Sequence, residues 1–406
     1  MGQWKQYKLG ELITLNSGGT PDKSNKSYWG GDIPWISAKF MYDDYLYSSE
    51  LKISQEGLDN GSRLAPKGSI LLLTRGSGLF NRIPVCYVMK DLAYNQDVKC
   101  IESNNKELVS TKFLFYWLMG NKNSIGAILE TTGIGAGKID TNRLKDIRIS
   151  LPPKEYQQAL IGFAESIMHK IELNRRINDN LEQQAQALFK SWFVDFEPFK
   201  DGEFVDSELG MIPKGWRVVC LGEVTKQVTE KVGNREDVTV LSPVNSGELV
   251  LSEEYFTKQV FSKNLSKYLI VNPLSFAYNP ARINIGSIGL NEYDFVGCVS
   301  PVYVVFKCEP NYHYFFDFYK RTAVFKDEVA LRAIGGVRQS LGYDDFSLIK
   351  TIYPTPDVVA EFNNLYLKMK EVITRNDIQN NKLTTLRDSL LPKLMSGELK
   401  INNFNR

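Results

Sequence analysis

The feature of this sequence that most constrains its fold is an internal duplication. The segment WKQYKLGEL at residues 4–12 returns as WRVVCLGEV at residues 216–224, with Trp, Leu, Gly and Glu at the same spacing. A second pair of related segments lies at the ends of the two halves. These segments are GKIDTNRLKDIRISLPP at 137–153 and QSLGYDDFSLIKTIYPTP at 339–356. The first pair is offset by 212 residues and the second by 202, so the halves share their ends while their interiors differ by ten residues. A repeat on this scale predicts two domains built on one frame.

Between the shared ends, each half contains short apolar runs that turn-forming residues separate. These runs are SILLLTR, VCYVM and VKCI in the first half, and DVTVLSPV, SFAYN and SPVYVVFK in the second. Such runs predict strands, so each interior is interpreted as an α/β or mostly-β domain. We expect one domain over residues 1–153 and another over 216–356, with a linker rich in Gly, Pro and acidic residues over 195–215.

Each domain is followed by a stretch with helical periodicity, at residues 154–194 and 357–406. Every seventh residue forms a stripe, and the stripes are Leu160, Ile167, Asn174, Leu181 and Leu188, then Phe362, Met369, Asn376, Leu383 and Leu390. This spacing predicts two long amphipathic helices in the same register. A helix from about Glu155 to Phe193 would be about 58 Å long. A stripe sustained over four heptads predicts a coiled-coil seam between the two helices. The alternative is that each helix packs on its own domain.

Asn174 and Asn376 lie at the middle of the two predicted helices. If the helices pair antiparallel with their centres aligned, the two amides would face each other. A buried polar pair of this kind specifies register at some loss of stability. The alternative is that the seam drifts and both amides are solvated.

Composition narrows the classes of protein. The apolar fraction of 43% is ample for folded cores. With 49 basic and 47 acidic residues the net charge is close to zero, so a surface that binds nucleic acid must arise from local clustering of basic residues. The five cysteines are odd in number and form no CxxC pair, which indicates neither a disulfide framework nor a zinc ribbon and fits a reducing cytoplasm. Without an apolar leader or a run of about 18 apolar residues, we expect a soluble cytoplasmic protein.

Motifs for catalysis or metal binding are not recognised in the sequence. TTGIGAGKID fails the phosphate-loop pattern at Thr132 and Ile139, and AYNPARI lacks the second Pro and the aromatic of the loop with which amino-methyltransferases grip a base. His169 and His313 have no neighbouring ligand at metal-binding spacing. We therefore predict no catalytic residue and no metal site, although carboxylates from distant segments could still pair.

Basic and amide side chains on predicted turns are the candidate DNA contacts. Arg matches guanine and Asn or Gln matches adenine, and these side chains and Lys can also hold phosphates. The candidates are Lys39, Arg75, Asn81, Arg82, Lys138 and Arg143 in the first domain, and Arg282, Asn284, Arg338 and Gln339 in the second. Each single residue could equally be a solvated surface residue, so the prediction depends on the set.

Three separated segments resemble one known family. LNSGGTPDKSNKSYWGGDIPWISAKF at 15–40, NRRINDNLEQQAQALFKSWF at 174–193 and NKLTTLRDSLLPKLMSGEL at 381–399 are similar to the motifs of DNA-specificity subunits of Type I restriction–modification systems. With the duplication, the resemblance covers essentially the whole chain. The second domain departs from it, because KQVTEKVGNREDVTVLSPV stands where the GGTP…YWGG…IPW stretch would be.

The resemblance implies an α+β fold of two target recognition domains, of α/β to mostly-β type, separated by two long antiparallel coiled-coil helices with a pseudo-two-fold repeat. It implies that each domain reads half of a bipartite target in double-stranded DNA. It also implies two methyltransferase subunits and restriction subunits as partners, with S-adenosylmethionine, ATP and Mg in those subunits and no cofactor in this chain.

Two other classes of function stay open from the residues alone. One is a self-contained DNA methyltransferase or nuclease with an unrecognised site. The other is a coiled-coil interaction protein that never binds DNA.

Overall fold

The computed structural model describes residues 4–133, 135–256, 261–332 and 340–401, which divide into two compact units. Unit 1 contains the described residues up to Arg176 together with those from Asn376 onward, and unit 2 is Ile177–Arg375. Each unit has a β-rich region and a part of both long helices. The predicted mixed fold, with a long helix between two β-rich regions, is confirmed.

Unit 1 is built from short strands and short helices. The strands are β1 Lys5–Lys8, β2 Ile13–Ser17, β3 Trp29–Ile36, β4 Tyr45–Leu46, β5 Lys52–Ile53, β6 Arg63–Ala65, β7 Ile70–Leu73, β8 Arg75–Gly76, β9 Val85–Val88, β10 Leu92–Tyr94, β11 Val98–Ser103, β12 Leu129–Thr131, β13 Gly137–Ile139 and β14 Arg148–Leu151. The helices are α1 Leu9–Leu12, α2 Gln55–Gly61, α3 Thr111–Gly120, α4 Lys122–Gly126 and α5 Thr141–Asp146, with 3₁₀ turns at Lys26–Tyr28, Ala38–Phe40 and Ser77–Phe80.

Two sheets form the centre of unit 1. One has the order β2-β11-β7-β9-β4, and the other has the order β5-β3-β10-β6 with β3 and β10 parallel. All four residues of β7 are buried, because this central strand is covered on both faces. The apolar helix α3 packs into the same core. Two smaller sheets, β12-β13-β8 and β1-β14, complete the unit.

Unit 2 has its own set of short elements. The strands are β15 Phe204–Val205, β16 Ile212–Pro213, β17 Arg217–Cys220, β18 Thr225–Val228, β19 Thr239–Pro243, β20 Leu249–Leu251, β21 Leu269–Val271, β22 Phe276–Tyr278, β23 Ile288–Leu290, β24 Gly297–Val299, β25 Val304–Cys308 and β26 Lys350–Tyr353. The helices are α7 Leu221–Val224, α8 Ser252–Tyr255, α9 His313–Tyr319, α10 Ala323–Arg332 and α11 Tyr343–Ser347, with 3₁₀ turns at Glu197–Phe199 and Ile283–Ile285.

The sheets of unit 2 repeat the topology of unit 1. The order β18-β25-β22-β23 matches β2-β11-β7-β9, and β20-β19-β24-β21 matches β5-β3-β10-β6. The match includes a parallel pairing, since β19 pairs with β24 as β3 pairs with β10. The second domain therefore has the architecture of the first, although it lacks the GGTP…YWGG…IPW stretch.

The repeated W…LGE segment forms the same strand and helix in both units. Strand β1 pairs antiparallel with β14, and β17 pairs antiparallel with β26. In each segment the Glu side chain accepts a 2.7 Å hydrogen bond from the backbone N–H three residues earlier, Glu11 from Lys8 and Glu223 from Cys220. This bond satisfies a free donor at the start of the one-turn helix that follows.

The glycine of the repeated segment is explained by a close helix contact. A Cβ on Gly10 would lie 2.8 Å from the Cβ of Lys145 in α5, and one on Gly222 would lie 2.9 Å from the Cβ of Ser347 in α11. Carbon atoms in contact are normally about 3.5–4.0 Å apart. Both units therefore need glycine where α1 or α7 meets its neighbouring helix.

The two long helices are α6, Lys154–Phe193, and α12, Pro356–Ser396. Within unit 1 they run antiparallel, because the Tyr156 hydroxyl near the start of α6 donates to the carbonyl of Leu394 near the end of α12. Within unit 2 the ring of Phe189 lies 5.8 Å from that of Phe362, near the end of α6 and the start of α12. The helix segments of each unit are thus paired in opposite directions.

All ten residues of the predicted stripes are buried or half-buried. Each helix also has a second stripe of buried or half-buried residues, and each of these lies three or four positions from a residue of the predicted stripe. That set is Gln157, Ala164, Ile171, Asn178 and Ala185 on α6, and Val359, Tyr366, Ile373, Asn380, Arg387 and Leu394 on α12. Sequence reasoning missed this second stripe because Gln, Asn and Arg interrupt its apolar pattern.

Asn174 is fully buried, and its amide contacts the facing helix in unit 1. Its Nδ2 donates to the side-chain oxygens of Gln379 at 2.8 Å and Asn380 at 2.9 Å. These two partners follow Asn376 by three and four positions, and a direct pairing of Asn174 with Asn376 stays a prediction. Asn376 is itself buried, so the alternative of two solvated amides is wrong.

Arg387 joins the strand region of unit 1 to α12. Its guanidinium is almost completely buried and lies 2.7 Å from the carboxylate of Asp44, in the segment before β4. Its Nε donates to Asp388 at 2.8 Å. A buried cation with two carboxylate partners fixes how β4 and its preceding loop pack on the helix.

Candidate nucleic-acid interface

Two predicted contact residues lie opposite each other on a small sheet of unit 1. Arg75 of β8 and Lys138 of β13 are directly paired in the antiparallel ladder. On the other side of Lys138 lies Glu130 of β12, which forms a 2.9 Å ion pair with the predicted contact residue Arg143. Like charges directly opposite on neighbouring strands are destabilising, so the pairing of Arg75 with Lys138 is unfavourable, while Glu130 on the other side of Lys138 offsets part of this repulsion.

Lys99 adds a third cation to this pair. It lies on β11, half-buried, and its Nζ donates to the Ser17 hydroxyl at 2.6 Å. Burial lowers the pKa of Lys99, and the positive charge of Arg75 lowers it further, while Asp97 acts in the opposite direction. Within the described part of the chain, none of Arg75, Lys99 and Lys138 forms an ion pair with a carboxylate. We call these three residues the basic cluster.

The sequence analysis did not identify Lys99, although a signal was present. The run VKCI was predicted as a strand, and alternation along a strand turns Lys99 away from the buried side chains of Val98 and Cys100. A lysine on the outer face of a strand is ordinary, and only the strand order places Lys99 near Arg75.

The other predicted residues of unit 1 are distributed over the surface. Arg82 is exposed but engaged: its guanidinium donates to the carbonyls of Met41 and Tyr42 and lies 5.0 Å from the ring of Tyr42. Lys39 is exposed above the ring of Phe40 at 5.4 Å. Asn81 is exposed at the end of the 3₁₀ turn that follows β8. These three residues do not join the basic cluster through any direct contact among the described residues.

In unit 2 the predicted residues Arg282 and Asn284 are exposed on the loop between β22 and β23. This loop corresponds to the β7–β9 loop that carries Arg75. A matching backbone bond ties each loop to a later segment: Ile139 N–H donates to Thr74 at 2.9 Å, and Leu341 N–H donates to Pro280 at 3.1 Å. Arg338 and Gln339 lie outside the described residues.

The structure offers no cluster of three or more His, Cys, Asp or Glu residues that could hold a metal ion in the described ranges. Burial raises the pKa of the Cys86 and Cys308 thiols and thereby disfavours the reactive thiolate. His169 is exposed on α6. Among the helices described, none is long and apolar enough to cross a membrane.

Comparison with known proteins identifies relatives of the same kind. Residues 1–183 match the family model of the Type I restriction modification DNA specificity domain. The chain is 28% identical to the Type I restriction enzyme MjaIX specificity subunit of Methanocaldococcus jannaschii, over 99% of this chain and 94% of that protein. It is 23% identical to the HindI specificity subunit of Haemophilus influenzae, over 98% of this chain and 100% of that protein.

A solved structure supports the fold. The S subunit of a Type I restriction–modification system from M. genitalium superposes with a TM-score of 0.50 at 15% identity, covering 97% of this chain and 96% of that chain. Both relatives are specificity subunits of Type I restriction enzymes, the kind of protein that the sequence motifs resemble. The first 183 residues thus match the DNA specificity domain of Type I restriction–modification systems, and the whole chain is similar to specificity subunits of such systems.

Proposed function

We propose that this chain binds double-stranded DNA and that each unit reads one half of a bipartite target. The observation that carries the proposal is the basic cluster of unit 1. Arg75 lies directly opposite Lys138 in the ladder, and the positive charge of Arg75 also acts on Lys99, where the carboxylate of Asp97 opposes it in part. A DNA phosphate bound there would relieve this repulsion, and phosphate contacts provide much of protein–DNA affinity.

The two-unit arrangement supports a target with two different halves. Both units have the same sheet topology, while the loops that carry Arg75 in unit 1 and Arg282 in unit 2 differ in sequence and length. A shared frame with different loops fits a split target whose halves have unrelated sequences. Base choice is then a property of loops, which vary without disturbing the sheets that support them.

We further propose two methyltransferase subunits and restriction subunits as protein partners, with S-adenosylmethionine, ATP and Mg bound by those subunits and not by this chain. An exposed apolar surface in unit 2 supports a protein partner. A groove of about 770 Å³ is lined by Phe193, Val194, Leu209 and Val324, and the last three are between 43% and 54% exposed. Apolar surface of this kind is typical of protein interaction sites.

The experiment measures DNA binding by the complex of this chain with its methyltransferase subunits at several salt concentrations. The double variant Arg75→Ala/Lys138→Ala should weaken binding to all sequences alike and reduce the slope of log affinity against log salt by about two. Lys67→Ala is a matched control, because this exposed lysine lies in the turn before β7, at the opposite end of that strand from Arg75. Unchanged affinity and slope in the double variant would contradict the proposal.

A further inference from the structure

The turn between β10 and β11 presents one exposed amide on a rigid support. Gln96 is the exposed residue of this turn, and its neighbours are held by the backbone. The N–H of Asn95 donates to the carbonyl of Ile36 at 2.9 Å. The carbonyl of Asp97 accepts from the N–H and the hydroxyl of Thr74, at 2.8 and 3.0 Å. The turn is thus fixed to β3 and to the residue that follows β7.

A second contact orients the Gln96 side chain itself. The hydroxyl of Thr20 donates to Gln96 Oε1 at 2.6 Å. Thr20 reaches this position because the preceding residues are glycines: the N–H of Gly19 donates to the carbonyl of Tyr94 at 2.9 Å, and a Cβ on Gly18 would overlap that same carbonyl. The GGT part of the first-domain motif therefore brings a hydroxyl to Gln96.

This amide lies directly beside the basic cluster. Lys99 Nζ donates to the backbone carbonyl of Gln96 at 3.4 Å, and Arg75 follows Thr74, whose backbone N–H is bonded to the same turn. Phosphate contacts fix the register of a protein on DNA, and base edges are read by polar side chains nearby. An amide on a rigid turn that contacts one residue of the basic cluster has the placement that base reading requires.

We propose that Gln96, oriented by Thr20, reads an adenine in the half-site bound by unit 1. A glutamine amide pairs bidentately with adenine, accepting from N6 and donating to N7. Thr20 occupies one lone pair of Oε1 and leaves the other for N6, while Gln96 Nε2 makes no hydrogen bond within the described residues. The inference rests on the proposed DNA-binding function and adds a residue and a base to it.

The test measures methylation rates of the full complex on DNA duplexes in which each position of the target carries each of the four bases. Gln96→Ala should reduce the preference for adenine at one position by about fivefold to a hundredfold and leave the other positions unchanged. Gln96→Glu should favour cytosine there, because a carboxylate accepts from cytosine N4. Thr20→Val should weaken the preference, and Thr20→Ser should retain it.

Gln55→Ala is the matched control, since Gln55 is an exposed glutamine of α2 that donates to Asp59 at 2.8 Å. A uniform loss of rate in Gln96→Ala, or no change in base preference, would overturn the assignment of Gln96. The double variant Arg75→Ala/Lys138→Ala is measured in parallel. If it methylates all duplexes as fast as the unchanged protein, the proposed role of the basic cluster fails independently of Gln96.

Discussion

The contact behind the repeated glycine yields a quantitative prediction. In Gly10→Ala the new methyl group would lie 2.8 Å from the Cβ and 3.1 Å from the Cγ of Lys145, and 3.3 Å from its carbonyl oxygen. The first of these atoms is fixed by the backbone of α5, so the two helices must move apart by several tenths of an ångström. Overpacking of this kind costs about 1–3 kcal/mol. Alanine gains up to about 1 kcal/mol over glycine in a helix, so we expect a net loss of about 1–2 kcal/mol.

Gly162→Ala on α6 provides the control, because a Cβ there would meet no atom within 4 Å. That variant should be stabilised by about 0.5–1 kcal/mol, since alanine has the higher helix propensity. Amide hydrogen exchange of β1 and α5 in the full chain reports the local free energy of opening. If Gly10→Ala were as stable as the unchanged protein, or shared the gain of Gly162→Ala, the steric explanation of the repeated glycine would be refuted.

Two further predictions concern buried charges. Asp44→Asn should lower the stability of unit 1 by about 2 kcal/mol, because the buried Arg387 then keeps Asp388 as its one carboxylate partner among the described residues. A double-mutant cycle with Arg387→Met should give a coupling of at least about 1 kcal/mol, and strictly additive effects would contradict the contact. In unit 2, burial and Lys370 lower the pKa of His313 from its ordinary 6.5, while Asp317 acts in the opposite direction. The unfolded chain then binds more protons just below pH 6.5, so stability should fall as the pH falls through that region. His313→Gln should remove this dependence in urea unfolding measured from pH 7.5 to 5, and an unchanged slope would refute the assignment.

The long helices and the repeated frame could be predicted because they depend on local pattern. The sequence indicated a first helix from about Glu155 to Phe193, and α6 spans Lys154–Phe193. The shared strand order inside the two β-rich regions could not be predicted, because the interiors differ in sequence and the first-domain motif is absent from the second half. Pairing of β19 with β24 joins segments far apart in the chain and leaves no local signal.

For the candidate DNA contacts, too, the sequence indicated the residues but not their contacts with distant segments of the chain. Arg75 and Lys138 were identified as basic residues on turns, but their pairing depends on the order of three short strands. Arg82 was predicted as a DNA contact, and its hydrogen bonds to Met41 and Tyr42 depend on partners 40 and 41 residues away. Arg387 was missed because a charged residue at a seam position looks like a break in the apolar pattern.

The central claim is that the two units read separate halves of one target. The most direct test maps methylated bases across the genome of a host that carries this chain and its methyltransferase subunit, before and after residues 217–338 are exchanged for those of a relative. We predict that one half of the split recognition sequence changes while the other half stays the same. An unchanged methylation pattern would contradict the account, because the second unit would then not select DNA.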